Sequence, residues 1–289
     1  MLVEEINKIL EERFPHLKVN SVSFFGEGET KSVFLVNGNI IFKFPKENKD
    51  LKSFYKEKTA LLLLKNKTDI PIPQLLYYDD SIRDFPIIGQ SLMPGTPLSE
   101  NAFNKFSPEE KSVFFKSIGT FVFQVHCIAD MSQNIYTQTP LGNTNAMENY
   151  LGAVNNILSP QDKEFFSAIV SRYKKSVDIK GLSLVFSHGD LQFQNILYNP
   201  QNNKITSIID FGSACYADEL YDLRYFWNNL NKDLINPLKK SLTNEDRMRI
   251  LYYHLCTVSR NIHINYEPSK RSYDNSTEIK MLLSAANQR

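Results

Sequence analysis

Residues 187 to 212 read SHGDLQFQNILYNPQNNKITSIIDFG, in which Asn195 and Asp210 stand at the ends of two short apolar runs and His188 and Asp190 precede the first of them. The runs have the β-branched, alternating character of strands, and the segment from Asn199 to Lys204 is rich in turn residues. A hairpin closing there sets Asp210 beside Asn195. A carboxylate at a strand end can bind a divalent cation while the apolar strand holds it still. An amide oxygen nearby can complete a magnesium shell whose other ligands are waters and phosphates. Asp190 is then a carboxylate placed to accept the proton of an attacking hydroxyl. His188 is expected to orient the loop through hydrogen bonds.

The rest of the chain fits around this hairpin. Its 289 residues suffice for one large domain or two lobes. Residues 1–93 read as a small sheet with one inserted helix, and residues 94–289 as a mainly helical lobe, with proline and glycine in SLMPGTPL marking the change. Asn37-Gly38, between SVFLV and NIIFKF, predicts a type I′ hairpin, which needs positive φ at both central residues. Ser107-Pro108-Glu109-Glu110 predicts a capped helix start. Helical patterns cover 2–14, 50–65, 107–129, 145–157, 160–176, 218–230, 244–264 and 276–286.

A formal net charge of +1 gives the whole molecule no electrostatic case for nucleic acid or a membrane surface. Three cysteines without a CxxC pair suggest neither a disulfide framework nor a zinc site. No apolar run approaches the roughly 18 residues of a spanning helix. A cytoplasmic protein is expected.

Two further features could carry chemistry. Gly26-Glu27-Gly28-Glu29-Thr30 joins two predicted strands, either as an ordinary hairpin loop or as a loop whose backbone N–H groups lie over phosphates. No helix follows it, so a dinucleotide-binding reading fails. Lys43 lies in the apolar run IIFKF. Either it points to water from an edge strand, or it is buried and paired, and Glu57 in the following helix is the carboxylate within reach.

His188-Gly189-Asp190 with Asn195, followed by Ile209-Asp210-Phe211, resembles the catalytic core of the aminoglycoside phosphotransferase and choline kinase group, itself similar to the protein kinases. The stretch GEGETKSVFLVNGNIIFKFPK most resembles the 2″-aminoglycoside phosphotransferases. The resemblance runs in order over nearly the whole chain. It implies an α+β, bilobal, protein-kinase-like fold and transfer of the γ-phosphate of ATP or GTP, with Mg²⁺, to a hydroxyl of a small molecule, an aminoglycoside first. It assigns Asp190 as base, and Asn195 and Asp210 as metal ligands. Gly26, Gly28, Ser32, Lys43, Glu57, Ser91 and Met93 become nucleotide-binding residues, and Asp218, Glu219, Asp222 and Glu267 acceptor-binding ones. Asp222 has a second reading, as a structural acid that tethers the catalytic loop. FVFQVHCI, residues 121–128, matches the helix that packs behind that loop.

The sequence departs from the 2″ pattern in two places. It has His188-Gly189-Asp190-Leu191 where those enzymes read His-Asn-Asp-Phe, and amides at Asn228 and Asn229 where carboxylates are expected. Choline, a sugar or a homoserine-like alcohol therefore stays open as acceptor. A nucleotide-binding pseudokinase is the non-enzyme alternative. The short span from Asp210 to Asp218 leaves no room for a protein kinase's activation segment. A monomer is expected, with nucleoside triphosphate and a small acceptor as its only partners.

Overall fold

The structure, a computed structural model, describes residues 2–28, 30–46, 51–82, 84–129, 154–180, 182–264 and 274–287. Helix α1 (Val3–Arg13) leads into strands β1 (Val22–Glu27), β2 (Lys31–Val36) and β3 (Ile40–Pro45). Helix α2 (Lys52–Leu64) and strands β4 (Leu75–Asp79) and β5 (Ile87–Ser91) follow. The five strands form one antiparallel sheet in the order β1-β2-β3-β5-β4.

The β2–β3 connection carries the predicted turn residues. Asn37 and Gly38 take φ of 53° and 71°, and Asn39 N–H donates to the Val36 carbonyl at 3.2 Å, which is the predicted type I′ turn. Asn39 also belongs to the connection, so Val36 pairs with Ile40 and Val33 with Lys43. Because β3 lies between β2 and β5, all six of its residues are buried. Ile40, Phe42 and Phe44 form one face and pack with Ile6 and Leu10 of α1. Lys43 lies on the other face, and the edge-strand reading of this residue fails.

The second half runs through β6 (Thr96–Pro97), α3 (Glu100–Asn104), α4 (Pro108–His126) and α5 (Pro160–Lys180). Strands β7 (Leu184–Ser187), β8 (Ile196–Asn199), β9 (Lys204–Ile208) and β10 (Cys215–Asp218) come next, then helices α6 (Lys232–Ile235), α7 (Asn244–His263) and α8 (Asn275–Asn287). Helix α4 opens on the predicted capping box: Ser107 Oγ accepts Glu110 N–H at 3.2 Å, and Glu110 Oε2 accepts Ser107 N–H at 2.7 Å. The expected helix at 145–157 falls, up to residue 153, outside the described residues.

The helix expected at 218–230 is corrected. Strand β10 ends at Asp218, and a 3₁₀ turn covers Tyr221–Phe226. Leu220, Leu223 and Phe226, all fully buried, recur every third residue, and a 3₁₀ turn brings such a spacing onto one edge.

Two small sheets position the site. In one, β8 lies between β6 and β9, with Thr96 opposite Tyr198 and Pro97 opposite Leu197. Leu98 N–H donates to the Ile196 carbonyl at 2.9 Å, and the Thr206 hydroxyl donates to the Pro94 carbonyl at 2.7 Å. The linker after β5 is thus stitched to the hairpin that carries Asn195 and Asp210. In the other, β10 pairs antiparallel with β7. Beneath them Phe103, Phe114, Phe115, Phe193 and Phe226 interlock, with Phe103 and Phe193 centred 4.9 Å apart. Burying a large apolar side chain contributes about 1.5–3 kcal/mol, so this cluster firmly seats Phe193, two residues before Asn195.

Candidate active site

The His188–Asn195 loop is held from three sides. The carboxylate of Asp222, 1% exposed, accepts the backbone N–H groups of His188 at 2.7 Å and Gly189 at 2.9 Å. Gly189 has φ +82°, and a Cβ there would lie 2.0 Å from the Ser213 carbonyl oxygen, so glycine is required both for its conformation and for that close approach. The His188 ring packs against Phe211. Its Nε2 lies 3.2 Å from the Ile209 carbonyl, and its Nδ1 accepts Asp190 N–H at 3.2 Å. This network assigns the neutral tautomer protonated at Nε2. His188 orients the loop, as expected.

Asp190 is partly exposed. The Asn195 side-chain NH₂ donates to the Asp190 carbonyl at 2.8 Å and to its Oδ2 at 3.0 Å. With the nitrogen turned toward Asp190, the amide oxygen of Asn195 faces the other way. Strands β8 and β9 pair as the sequence predicts, and Ile209 N–H donates to the Asn195 carbonyl at 2.9 Å, so Asp210 follows directly beside Asn195. Asp210 has φ 66° and ψ 71°, a left-handed conformation uncommon outside glycine and typical of strained functional positions.

On the facing sheet, Lys43 Nζ lies 2.5 Å from Glu57 Oε1 and 3.5 Å from Asp210 Oδ1. A second ammonium joins them: Lys31 Nζ lies 2.7 Å from Glu57 Oε2 and 3.9 Å from Asp210 Oδ1. Glu57 is wholly buried and both lysines are 7% exposed. Burial would pull the Lys43 pKa down, but Glu57 and Asp210 outweigh it and hold the pKa above the usual lysine value. Burial would raise the Asp210 carboxyl, but Lys43 and Lys31 together hold it well below the usual carboxylate range. Asp210 is therefore an anion at neutral pH, its side chain 47% exposed toward the cleft. Among the described residues no three His, Cys, Asp or Glu side chains converge as a metal cage. One carboxylate and one amide oxygen suit a magnesium ion that keeps waters and takes phosphate oxygens.

The glycine loop and the linker are less committed. A Cβ at Gly26 would meet nothing within 4 Å, and one at Gly28 would meet only the Lys31 carbonyl at 3.8 Å, so the space above the loop is open. Gly28 N–H, expected among phosphate donors, instead closes the loop on the Lys31 carbonyl at 2.8 Å. Glu29 lies outside the described residues. Ser32 is buried in β2 opposite Phe44. Ser91 exchanges two hydrogen bonds with the Gln74 backbone, its hydroxyl accepting at 2.9 Å and its N–H donating at 3.0 Å. The Ser91 hydroxyl also lies 3.6 Å from Met93 Sδ, which places Met93 beside it in the linker.

Residues 21–248 match the phosphotransferase enzyme family, APH. The chain belongs to that family. The small-molecule kinase class read from the sequence stands with it. Three solved structures of similar fold give the scale of the likeness. The GDP and kanamycin complex of APH(2″)-IIia superposes with a TM-score of 0.79 at 20% identity, covering 98% of both chains. The gentamicin complex of APH(2″)-IIa gives 0.69 at 18%, covering 100% of this chain and 95% of that one. The apoenzyme of macrolide 2′-phosphotransferase MphH from Brachybacterium faecium gives 0.66 at 15%, covering 98% and 96%. The fold is the expected α+β, kinase-like one, a sheet-based N-lobe on a helical C-lobe.

Within this phosphotransferase frame, the acids expected at the acceptor site separate. Asp218, 3% exposed, accepts Leu220 N–H at 2.9 Å and Arg249 at 3.0 Å on Oδ1, and the Tyr253 hydroxyl at 2.5 Å on Oδ2. Asp222 is the loop tether described above. Both are enclosed and spent on protein partners. Glu219 alone of the three reaches the surface, its side chain 34% exposed and paired with Lys240. Glu267 lies outside the described residues. Lys31 was not foreseen as a site residue, nor was Tyr225, whose hydroxyl donates to Asp190 Oδ1 at 2.5 Å.

Proposed function

We propose that this phosphotransferase moves the γ-phosphate of ATP or GTP to a hydroxyl of a small molecule, with an aminoglycoside as the leading acceptor. The observation that carries the reading is the convergence of Lys43 and Glu57 from one side of the cleft with Asp190, Asn195 and Asp210 from the other. Lys43, held by Glu57, takes the α- and β-phosphates. Gly26, Gly28 and Ser32 shape the loop above them, and the Ser91–Met93 linker meets the base. Asn195 and Asp210 would hold Mg²⁺, which would supply positive charge to offset that of the phosphates. The acceptor oxygen attacks the γ-phosphorus, and the bond to the β,γ-bridging oxygen breaks. The acceptor's proton passes to Asp190, and nucleoside diphosphate leaves.

Neighbours described in complex with kanamycin and gentamicin support the aminoglycoside reading. The enclosure of Asp218 and Asp222 supports a second one, a less cationic alcohol, since Glu219 is the exposed acid left among the three. A division at residues 93 and 94, a cytoplasmic location and a monomeric state belong to the same proposal. Among the described residues no helix is long and apolar enough to cross a membrane.

The test is diphosphate release against kanamycin- and gentamicin-type drugs beside choline and neutral sugars. Drug-dependent release that weakens as salt rises from roughly 50 to 500 mM marks a charge-held acceptor. Turnover of a neutral alcohol alone selects the second reading, and no acceptor-dependent release refutes both. Asp210→Ala should abolish transfer and weaken nucleotide binding in Mg²⁺ far more than in EDTA.

A further inference from the structure

The carboxylate of Asp190 is already covered by hydrogen-bond donors from its own protein. Oδ2 accepts Gln192 Nε2 at 2.9 Å and Asn195 Nδ2 at 3.0 Å. Both are amides of the same loop, and they fix the carboxylate's orientation. Oδ1 accepts the hydroxyl of Tyr225, which arrives from the 3₁₀ turn 35 residues later.

That hydroxyl is aimed. Arg224, 2% exposed, is locked by the Gly189 carbonyl at 2.5 Å, the Tyr221 carbonyl at 2.9 Å and the Thr257 hydroxyl at 3.2 Å. Its guanidinium lies 4.4 Å from the Tyr225 ring centre, and its NH2 donates to the Tyr225 oxygen at 3.4 Å. His254 makes a T-shaped contact with the same ring, 5.7 Å between centroids. With its oxygen accepting from Arg224, the phenol directs its proton at Asp190.

A hydroxyl is the group that a phosphotransferase acceptor must bring to its base. We propose that the Tyr225 hydroxyl holds the acceptor's place: it caps Asp190 Oδ1 while the acceptor site is empty and yields when an acceptor hydroxyl arrives. This rests on the reading of Asp190 as the base. The cap has a chemical purpose, because water is the competing nucleophile. In hydrolysis, water oxygen attacks the γ-phosphorus, the bond to the β,γ-bridging oxygen breaks, and the water's proton needs the same carboxylate. A capped Asp190 cannot take that proton, so the triphosphate is spared until an acceptor displaces the phenol.

Tyr225→Phe removes the hydroxyl and keeps the ring. A hydrogen bond to a charged group is strong enough that its loss should raise acceptor-free nucleotide hydrolysis by about tenfold. Transfer at saturating acceptor should change by no more than roughly threefold, because the acceptor supplies its own hydroxyl. Gln192→Leu, which frees the other oxygen, is the contrast and should lower both rates together. Hydrolysis that stays unchanged in Tyr225→Phe, or that falls in parallel with transfer as in Gln192→Leu, would overturn the cap and leave Tyr225 a positioning residue. Melting temperatures beside wild type identify a folding defect. Should Tyr225→Phe not fold, Tyr225→Leu must show the same rise in the ratio of hydrolysis to transfer, and an unchanged ratio overturns the cap. Wild type that turns over no nucleotide under any condition overturns the phosphotransfer reading together with the cap, a result distinct from wild-type transfer with an unchanged variant ratio.

Discussion

Glu57 and Asp222 are both carboxylates enclosed by protein, one beneath the sheet and one beneath the catalytic loop, and each accepts two donors. Glu57 accepts from two ammonium groups on long side chains, Lys31 and Lys43. Asp222 accepts from two neutral backbone N–H groups, those of His188 and Gly189. The first arrangement holds charge that can turn toward a ligand, because Asp210 shares both lysines with Glu57. The second holds shape, because backbone amides cannot leave without moving the chain. An acid near a site thus contributes charge or geometry according to what it has been given to hold.

The largest test of that contrast is Glu57→Gln. It leaves two buried ammonium groups facing a neutral amide, and breaking a buried pair should cost about 3–5 kcal/mol of stability in urea unfolding. Adding Lys31→Met should recover part of the loss, since Asp210 is then left with one ammonium to offset rather than two. No recovery would show that Lys31 is solvated from another direction.

Asp222→Asn should cost less. The amide keeps one acceptor oxygen and turns its NH₂ toward a backbone donor, so about 1–3 kcal/mol is expected, with a fall in kcat as the loop loosens. If stability and kcat hold while KM rises for a cationic acceptor, Asp222 is an acceptor ligand and the contrast with Glu57 breaks.

Glu219→Gln should be the mildest. Its pair with Lys240 lies at the surface and contributes within about 1 kcal/mol. Should the acceptor be a polycation, KM should rise several-fold with kcat kept, the mark of lost ground-state binding. An unchanged KM for a transferred drug would remove the last described acid from the expected acceptor set.

What the sequence made legible follows from how local each signal is. The Asn37-Gly38 turn, the capping box at Ser107 and the polar ends of β8 and β9 are short-range chemistry, and each stands where it was read. Lys43 with Glu57 needed only a strand, a helix and the cost of burying an ammonium. Lys31 was missed because its face depends on a register one residue away from the one a two-residue turn gives. A two-residue Asn37-Gly38 loop would set Val33 opposite Phe42, whereas the structure leaves Asn39 in the connection as well and sets Val33 opposite Lys43, which brings Lys31 onto the Lys43 face. The stretch after Asp218 was misread because Leu220, Leu223 and Phe226 satisfy the spacing of an α-helical face nearly as well as that of a 3₁₀ turn. Tyr225 and Asp190 meet across 35 residues and two elements, and no local pattern encodes such a meeting.

The stitching of the linker to the catalytic hairpin has a metrical consequence. Pro94, Thr96 and Pro97 are bonded or paired to Thr206, Tyr198 and Leu197, in the same small sheet whose strands run from Asn195 and into Asp210. A ligand that touches the linker at one end and Asp210 at the other is measured by a single ruler. Rocking of the five-stranded sheet would carry Lys43 and Lys31 toward or away from that ruler without changing its graduations. On the proposed reading, the span from linker to Asp210 would be set by the small sheet and the charge facing the phosphates by the large one.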